Sequence, residues 1–145
     1  MSAPDPQDLI QWEEAARWLA KPREDLAAAR LCLREDLLGT AAFHVQQAVE
    51  KTTKALLVAA RQDVLKTHDI ETLASLAARH WPRLVPSPHP LAYLTRWYLA
   101  SRYPAIDDAP PSAEEISEAL RQSEALVNQA FTAAPTSRDA KGNPR

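Results

Sequence analysis

The amino-acid sequence predicts an all-α fold in which neighbouring helices run antiparallel in a bundle. Alanine, leucine, glutamate, glutamine and arginine, all of which favour helices, dominate the chain. No alternating run of β-branched residues bounded by turn residues indicates a strand. Long segments with apolar residues three and four positions apart are joined by short links, which is typical of antiparallel helices in a bundle.

The first helical segment is predicted over residues 9–38, with either a kink or a new helix at Pro22. Proline lacks the amide proton that an interior helical position donates, and its ring clashes with the preceding turn. Alternatively, Pro22 is the first residue of a second helix, with Glu24 and Asp25 in its first turn. Gly39 is predicted to end the segment as a left-handed cap.

The second helix is predicted to run from Thr40 to about Arg61 and to carry a continuous polar stripe. One side is apolar and the opposite side is mostly polar, as helical periodicity shows. The apolar side holds Val45, Val49, Thr52, Leu56, Ala59 and Ala60, and the opposite side holds Gln47, Glu50, Lys54 and Arg61 with Phe43 and Leu57. Two interpretations of the stripe remain open: a solvated helix face, and one wall of a shared polar site.

A third helix is predicted to begin at the stretch LKTHD and to continue to about His80. Thr67 can cap this helix, and Asp69 and Glu71 fall in its first turn, where the helix dipole favours carboxylates. His68 is predicted to help set the helix start through a side-chain hydrogen bond. The structural role of Thr67, His68 and Asp69 is therefore preferred over a chemical one.

Prolines and turn residues separate the last two predicted helices. WPRLVPSPHP contains four prolines and is predicted to be an extended connector, followed by a helix at about residues 91–101. Ser112 and Glu115 have the spacing of a capping box for a final helix that extends to about residue 134. The chain is interpreted as one domain over residues 1–134, with a mobile polar tail at 135–145.

Composition excludes several classes of site. Cys32 is the only cysteine, so neither an internal disulfide nor a cysteine-based zinc cage can form. Two glycines are too few for a glycine-rich phosphate loop, and no histidine pair has the spacing of a metal site. The start of the chain does not resemble a signal peptide, and no apolar run is long enough to span a bilayer. We therefore expect a cytoplasmic protein without membrane segments, metal or cofactor.

Three separated motifs stand out in the chain: AAFHVQQAVEKTTKALL followed by KTHDIETL, then SRYP before an acidic, proline-rich turn, and a final SAEEISEAL helix. Together these motifs resemble the HEPN family, the higher eukaryotes and prokaryotes nucleotide-binding domain. The resemblance implies an up-and-down bundle of four to five helices that often dimerises. It also implies pairing with a minimal nucleotidyltransferase, as in toxin–antitoxin systems, and metal-independent RNase activity in the toxic members.

The catalytic signature of those RNases is only partly matched. In the family an arginine is followed four to six residues later by a histidine. Arg102 is the arginine that corresponds to this motif, and no histidine occurs in the ten residues after it. The sequence therefore predicts nucleotide or RNA binding more readily than RNA cleavage, with a non-catalytic dimeric adaptor as the alternative.

The candidate site for a nucleotide, an RNA phosphate or a dimer groove combines the polar stripe with the SRYP motif. Arg102 is suited to phosphate and Tyr103 to stacking or a hydroxyl contact. The sequence leaves open whether the two segments meet within one chain or across a dimer. The full set of candidates is Gln47, Glu50, Lys51, Lys54, Arg102 and Tyr103.

Overall fold

The computed structural model describes residues 6–103 and 111–133. Over these ranges the chain forms five α-helices and one 3₁₀ turn, and no strand. The helices are α1 (Pro6–Arg34), α2 (Leu38–Ala59), α3 (Ile70–Ala77), α4 (Thr95–Arg102) and α5 (Ala113–Ala133), and the 3₁₀ turn (Ala92–Leu94) directly precedes α4. The predicted all-α helical bundle is confirmed. The predicted tail at 135–145 and most of the predicted acidic turn lie outside the described residues.

Helix α2 lies at the centre of the bundle. It contacts each of the other four helices, and α5 also contacts α1. Because neighbours cover α2 on several sides, residues from both of its predicted faces are buried, including Val45 and Leu57. Its charged residues Glu50 and Lys54 are only 4% and 9% exposed, so the interpretation of the stripe as a solvated face is wrong for these two residues.

Helix α1 is continuous through Pro22, so the predicted alternative of a second helix at this position is wrong. Proline cannot donate the amide hydrogen bond that residue 22 would give to the carbonyl of Trp18. The burial of apolar residues on one side of α1 offsets this loss. Leu19, Leu26 and Ala29 pack into the two apolar clusters of the core, and Ala15 is fully buried as well.

The prediction of Gly39 as a helix cap is also wrong, because Gly39 lies in the first turn of α2. The left-handed position after α1 is taken by Asp36, whose φ is 60°. The amide of Leu37 donates to the carbonyl of Cys32 at 2.8 Å, and the amide of Asp36 donates to that of Leu33 at 3.2 Å. These two bonds define a Schellman motif, which satisfies the last carbonyls of α1.

A second Schellman motif ends α2. Arg61 has a φ of 60°, and its amide donates to the carbonyl of Val58 at 2.9 Å. The next amide, that of Gln62, donates to the carbonyl of Leu57 at 2.9 Å. The chain thereby leaves the axis of α2, and residues 62–69 form the link to α3.

Helix α3 ends at Ala77 instead of about His80, and turns lead into the proline-rich connector, which is non-helical as predicted. The connector is tied to the centre of the bundle, because Trp81 Nε1 donates to the carbonyl of Leu56 at 3.0 Å. The Trp81 ring also packs edge-on against Trp12 with centroids 5.8 Å apart. This anchoring places the connector against α2 before the chain enters α4.

The predicted capping box of α5 is confirmed. The amide of Glu115 donates to Ser112 Oγ at 3.1 Å, and the amide of Ser112 donates to Glu115 Oε1 at 3.3 Å. Within the described ranges, no helix combines the length and the apolar composition that a bilayer span requires.

Candidate functional site

A buried carboxylate, that of Glu50, lies at the middle of the central helix. Its Oε1 accepts hydrogen bonds from Gln46 Nε2 at 3.1 Å and from the Nδ1 of His68 at 2.9 Å. Its Oε2 accepts from Lys54 Nζ at 3.2 Å. Glu50 is 4% exposed, so its charge is stabilised by these three donors rather than by bulk water.

The local sequence explains two of the three donors. Gln46, Glu50 and Lys54 are spaced four residues apart, which places their side chains in one row on α2. The third donor comes from the link between α2 and α3, after the turn at Arg61. Because an ionised carboxylate only accepts hydrogen bonds, the pairing with Glu50 requires a proton on Nδ1 of His68.

Aromatic stacking continues from this network to α4. The ring of His68 stacks on Tyr98 with centroids 4.0 Å apart and an interplanar angle of 22°. Tyr98 in turn stacks on Phe43 of α2, with centroids 6.3 Å apart. The guanidinium carbon of Arg102 lies 5.6 Å from the centroid of Tyr98 and 5.9 Å from that of Phe43. These distances are within the range of cation–π attraction.

An open cavity of about 860 Å³ lies beside these rings, between the first turn of α2 and helix α4. The wall from α2 includes Gly39, Thr40 and Phe43, and the wall from α4 includes Arg96 and Arg102. Trp97, Pro111 and Glu115 also line the cavity. Two guanidinium groups, two aromatic rings and one carboxylate therefore line one cavity.

The first turn of α2, of which Gly39 and Thr40 line this wall, has backbone amides without an acceptor in the helix. Leu37, the residue before the helix, makes no side-chain cap hydrogen bond. The first intrahelical bond is donated by the amide of Ala41 to the carbonyl of Leu37, at 2.9 Å. By helix geometry the amides of residues 38–40 have no acceptor within the helix. A Cβ built on Gly39 would have no atom within 4 Å, so the surface at this turn is open to an approaching group.

A second buried carboxylate, that of Asp25, joins α1 to α2. Its Oδ1 pairs with His44 Nδ1 at 2.9 Å, and its Oδ2 accepts from Lys51 Nζ at 2.7 Å. Asp25 is 7% exposed, whereas the side chains of His44 and Lys51 are 27% and 30% exposed. The candidate residue Lys51 is therefore directed to α1 and does not belong to the group around Glu50.

The other candidate residues separate into a buried network and a cavity wall. Gln47 donates to Gln46 Oε1 at 2.7 Å and so extends the network around Glu50. Arg102 lines the cavity, and Tyr103 follows α4 with 56% of its surface exposed. The two predicted segments meet within one chain, through the contacts of His68 and Tyr98 rather than by direct bonds between the polar stripe and Arg102.

Of the residues predicted to start α3, Thr67 and Asp69 make local hydrogen bonds, whereas His68 bonds to α2. Thr67 Oγ1 accepts from the amide of Asp69 at 3.1 Å, and Asp69 Oδ2 accepts from Thr72 Oγ1 at 2.6 Å. The imidazole of His68 is bonded to Glu50 instead of to the first turn of α3. The amide of Ile70, the first residue of α3, donates to Thr95 Oγ1 at 3.0 Å, which joins α3 to α4.

His89 and Tyr93 are among the groups outside the buried network that have shifted pKa values. Burial lowers the pKa of His89 below 6.5, and the nearby carboxylate of Glu71 opposes this effect. His89 Nδ1 accepts from the amide of Leu91 at 3.0 Å, which also requires an unprotonated Nδ1. Burial, and then the charges of Glu115 and Glu118, raise the pKa of Tyr93 above 10.0. In the described part of the chain, no group of histidine, cysteine, aspartate and glutamate residues could hold a metal ion.

The fold and this site define a class of protein: an all-α bundle with a buried carboxylate network next to an arginine-lined cavity. A family model described as HEPN domain matches residues 15–131 of the chain. This match covers most of the sequence, and the chain belongs to the HEPN domain family. No curated protein matches the chain significantly.

Proposed function

We propose that the protein binds a nucleotide or a phosphate of RNA in the cavity between α2 and α4. The observation that carries this proposal is that Arg96 and Arg102 line the same cavity as the uncapped first turn of α2. A guanidinium group can donate two parallel hydrogen bonds to phosphate oxygens. Amides at a helix N-terminus favour an anion through both their hydrogen bonds and the helix dipole. Phosphate is therefore the ligand group that this wall suits best.

The remainder of the cavity suits the nucleoside part of such a ligand. Phe43 and Trp97 offer aromatic surface on which a base can stack. The carboxylate of Glu115 would repel a phosphate, but it can accept hydrogen bonds from ribose hydroxyls or from an exocyclic amino group. This combination favours a nucleotide over inorganic phosphate. Tyr103, the exposed residue after Arg102, is proposed to stack on the ligand from beyond the cavity wall.

The proposed roles of the candidate residues differ. Arg102 and Tyr103 contact the ligand, whereas Gln47, Glu50 and Lys54 support the site from the interior of the bundle. Lys51 stabilises the pairing of α2 with α1 through Asp25. We do not assign RNA cleavage, because no histidine follows Arg102 at the spacing of the family's RNases.

In the cell, the proposal places the protein in the cytoplasm as the HEPN member of a toxin–antitoxin-like pair. The partner would be a minimal nucleotidyltransferase, and the HEPN protein would itself be a homodimer. Membership of the HEPN family supports the proposed pairing and the proposed homodimer.

Binding of AMP and of a short single-stranded RNA is the direct test. Calorimetry with AMP and fluorescence anisotropy with a labelled oligonucleotide should both detect binding to the wild-type protein. Arg102→Ala should weaken binding at least about tenfold, since it removes a charge-assisted contact with phosphate. The matched control is Arg79→Ala, because Arg79 is exposed and does not line the cavity. Equal affinities of the wild-type and Arg102→Ala proteins would exclude this site.

A second candidate function is a dimeric adaptor without a ligand. It is favoured by three large apolar or aromatic residues exposed on or beside α4: Tyr93, Leu99 and Tyr103 are 51%, 37% and 56% exposed. Exposed aromatic residues are enriched at protein interfaces. Leu99→Glu should then abolish dimerisation, or the complex with a co-expressed nucleotidyltransferase, in size-exclusion chromatography with light scattering. Leu31→Glu is the control, because Leu31 is 57% exposed but lies on α1.

A further inference from the structure

We infer that Glu50 and His68 are positioning residues that hold Arg102 at the cavity through the ring of Tyr98. This inference rests on the proposed function, because it explains how the ligand-binding guanidinium is held. It assigns His68 a role beyond the start of α3. It also explains why a charged group is buried in the central helix although it does not line the cavity.

The first step is that Glu50 is a fixed anchor. Its carboxylate is bonded to Gln46 and Lys54 on the same helix, and the side chain is 5% exposed. Any rotation of this side chain would break at least one of these bonds in a place where water cannot replace it. The position of Nδ1 of His68, 2.9 Å from Glu50 Oε1, is therefore set by α2.

The second step is the transfer of this position to α4. The imidazole and the Tyr98 ring are nearly parallel, with centroids 4.0 Å apart. Tyr98 and Arg102 are four residues apart in α4, so their side chains lie on the same face of that helix. The guanidinium carbon lies 5.6 Å from the Tyr98 centroid, and it also lies 5.9 Å from Phe43. The two rings therefore define where this exposed side chain lies.

The third step is that His68 is not required to join α3 to α4 or to fill the apolar core. Helices α3 and α4 have their own connection, since the amide of Ile70 donates to Thr95 Oγ1. Thr67 accepts the amide of Asp69 just before α3. The imidazole side chain is 49% exposed, so it contributes little to the apolar core. Its two well-defined contacts, with Glu50 and Tyr98, are those expected of a residue that orients another group.

The test separates the stacking contact from general damage by comparing paired variants. Tyr98→Leu removes the ring, whereas Tyr98→Phe retains it, so the phenylalanine variant should keep the wild-type affinity for AMP. His68→Asn retains a donor near the position of Nδ1 but removes the ring. We expect Tyr98→Leu and His68→Asn each to weaken AMP binding about tenfold, the scale of coupling between contacting side chains. Circular dichroism and urea unfolding would identify any variant that fails to fold.

Coupling to Arg102 distinguishes positioning from an independent effect. In the Arg102→Ala background, His68→Asn should cause no further loss of affinity, because the group that it positions is gone. An equal loss in both backgrounds would overturn the inference. So would wild-type affinity in both His68→Asn and Tyr98→Leu.

An NMR readout tests the inference without a ligand. The side-chain protons of Arg102, assigned by their disappearance in Arg102→Ala, should carry ring-current shifts from Tyr98 and Phe43. His68→Asn should move these resonances toward random-coil values, and unchanged resonances would refute the positioning role. If Arg102→Ala binds AMP like the wild type while the resonances move in His68→Asn, the proposed function fails and the positioning role stands.

Discussion

Removal of the Glu50 carboxylate is the perturbation with the largest expected effect on stability. In Glu50→Ala, the ammonium of Lys54 loses its counter-charge in a position where the side chain is 11% exposed. The amide of Gln46 and Nδ1 of His68 lose their acceptor as well. The methylene groups of Glu50 are also removed from the packed centre of the bundle.

The magnitude follows from the burial of these groups. Breaking a buried ion pair by removing one partner costs about 3–5 kcal/mol, because the remaining charge is uncompensated. Because Lys54 retains a small exposed surface, part of its charge can be hydrated, so a loss near the middle of this range is expected rather than one at its upper end. A loss of about 4 kcal/mol is a large share of the total stability of a single domain, which is about 5–15 kcal/mol.

Urea unfolding followed by circular dichroism measures this loss. With an m-value of about 2 kcal/mol/M, the midpoint should fall by about 2 M without a change in m. The matched control is Glu124→Ala, which breaks the ion pair of Glu124 with Arg30 between α5 and α1. Both side chains in that pair are at least one-third exposed, so its loss should cost at most about 1 kcal/mol. If both variants lose the same small amount, Glu50 is hydrated and the network does not hold His68.

Three further predictions concern other contacts. Because the pKa of His89 is lower in the folded protein than the unfolded value of 6.5, stability should be retained above that pH and fall below it. The difference in urea midpoint between about pH 7.5 and about pH 5.5 should be smaller in His89→Asn than in the wild type. Ser112→Ala should lower the free energy of unfolding by about 1 kcal/mol through loss of the α5 cap, whereas Ser117→Ala, in the exposed interior of α5, should not. Trp81→Phe should cost about 1 kcal/mol, because it removes the hydrogen bond to a carbonyl of α2 while keeping an aromatic ring, and a loss below the error of urea unfolding would contradict this.

The helices were predictable where local chemistry decides the outcome. Apolar spacing and the lack of strand signals predicted the all-α fold, and the Ser112–Glu115 capping box is a local exchange of two hydrogen bonds. The helix ends were less predictable. The two Schellman motifs use Asp36 and Arg61 in the left-handed conformation, although glycine is the usual residue there. Gly39, the expected cap, lies three residues later, in the first turn of α2.

Burial of the polar stripe could not be deduced from helical periodicity alone. A periodic pattern identifies two faces of a helix, but it does not reveal how many neighbours cover them. Helix α2 contacts four other helices, so the face that carries Glu50 and Lys54 is covered as well. The spacing of four residues from Gln46 to Glu50 and Lys54 is the local signal for this network, and it identifies Gln46, which the predicted set of candidates did not contain.

The contacts of His68 and Tyr98 illustrate the limit for the site. They are 30 residues apart in the sequence, and their stacking depends on how the link after α2 and the connector before α4 are folded. Nothing in either local sequence specifies this distance. The SRYP motif indicated Arg102 as a candidate site residue. The contacts of His68 and Tyr98 that connect the polar stripe to Arg102 could be identified only from the tertiary structure.

The buried polarity of α2 is better explained by the placement of His68 than by stability. Replacing a whole buried ion pair with apolar residues of similar volume is often neutral or stabilising, whereas removing one partner is costly. The pairing of Glu50 with Lys54 thus only offsets the free energy of desolvating two buried charges, which apolar residues at both positions would not incur. An apolar residue at position 50 could not accept the Nδ1 proton of His68, and the imidazole would lose its fixed orientation against Tyr98. The network therefore fixes the orientation of the half-exposed imidazole of His68. The proposed binding of phosphate by Arg102 requires this orientation, because the imidazole holds the Tyr98 ring that Arg102 contacts.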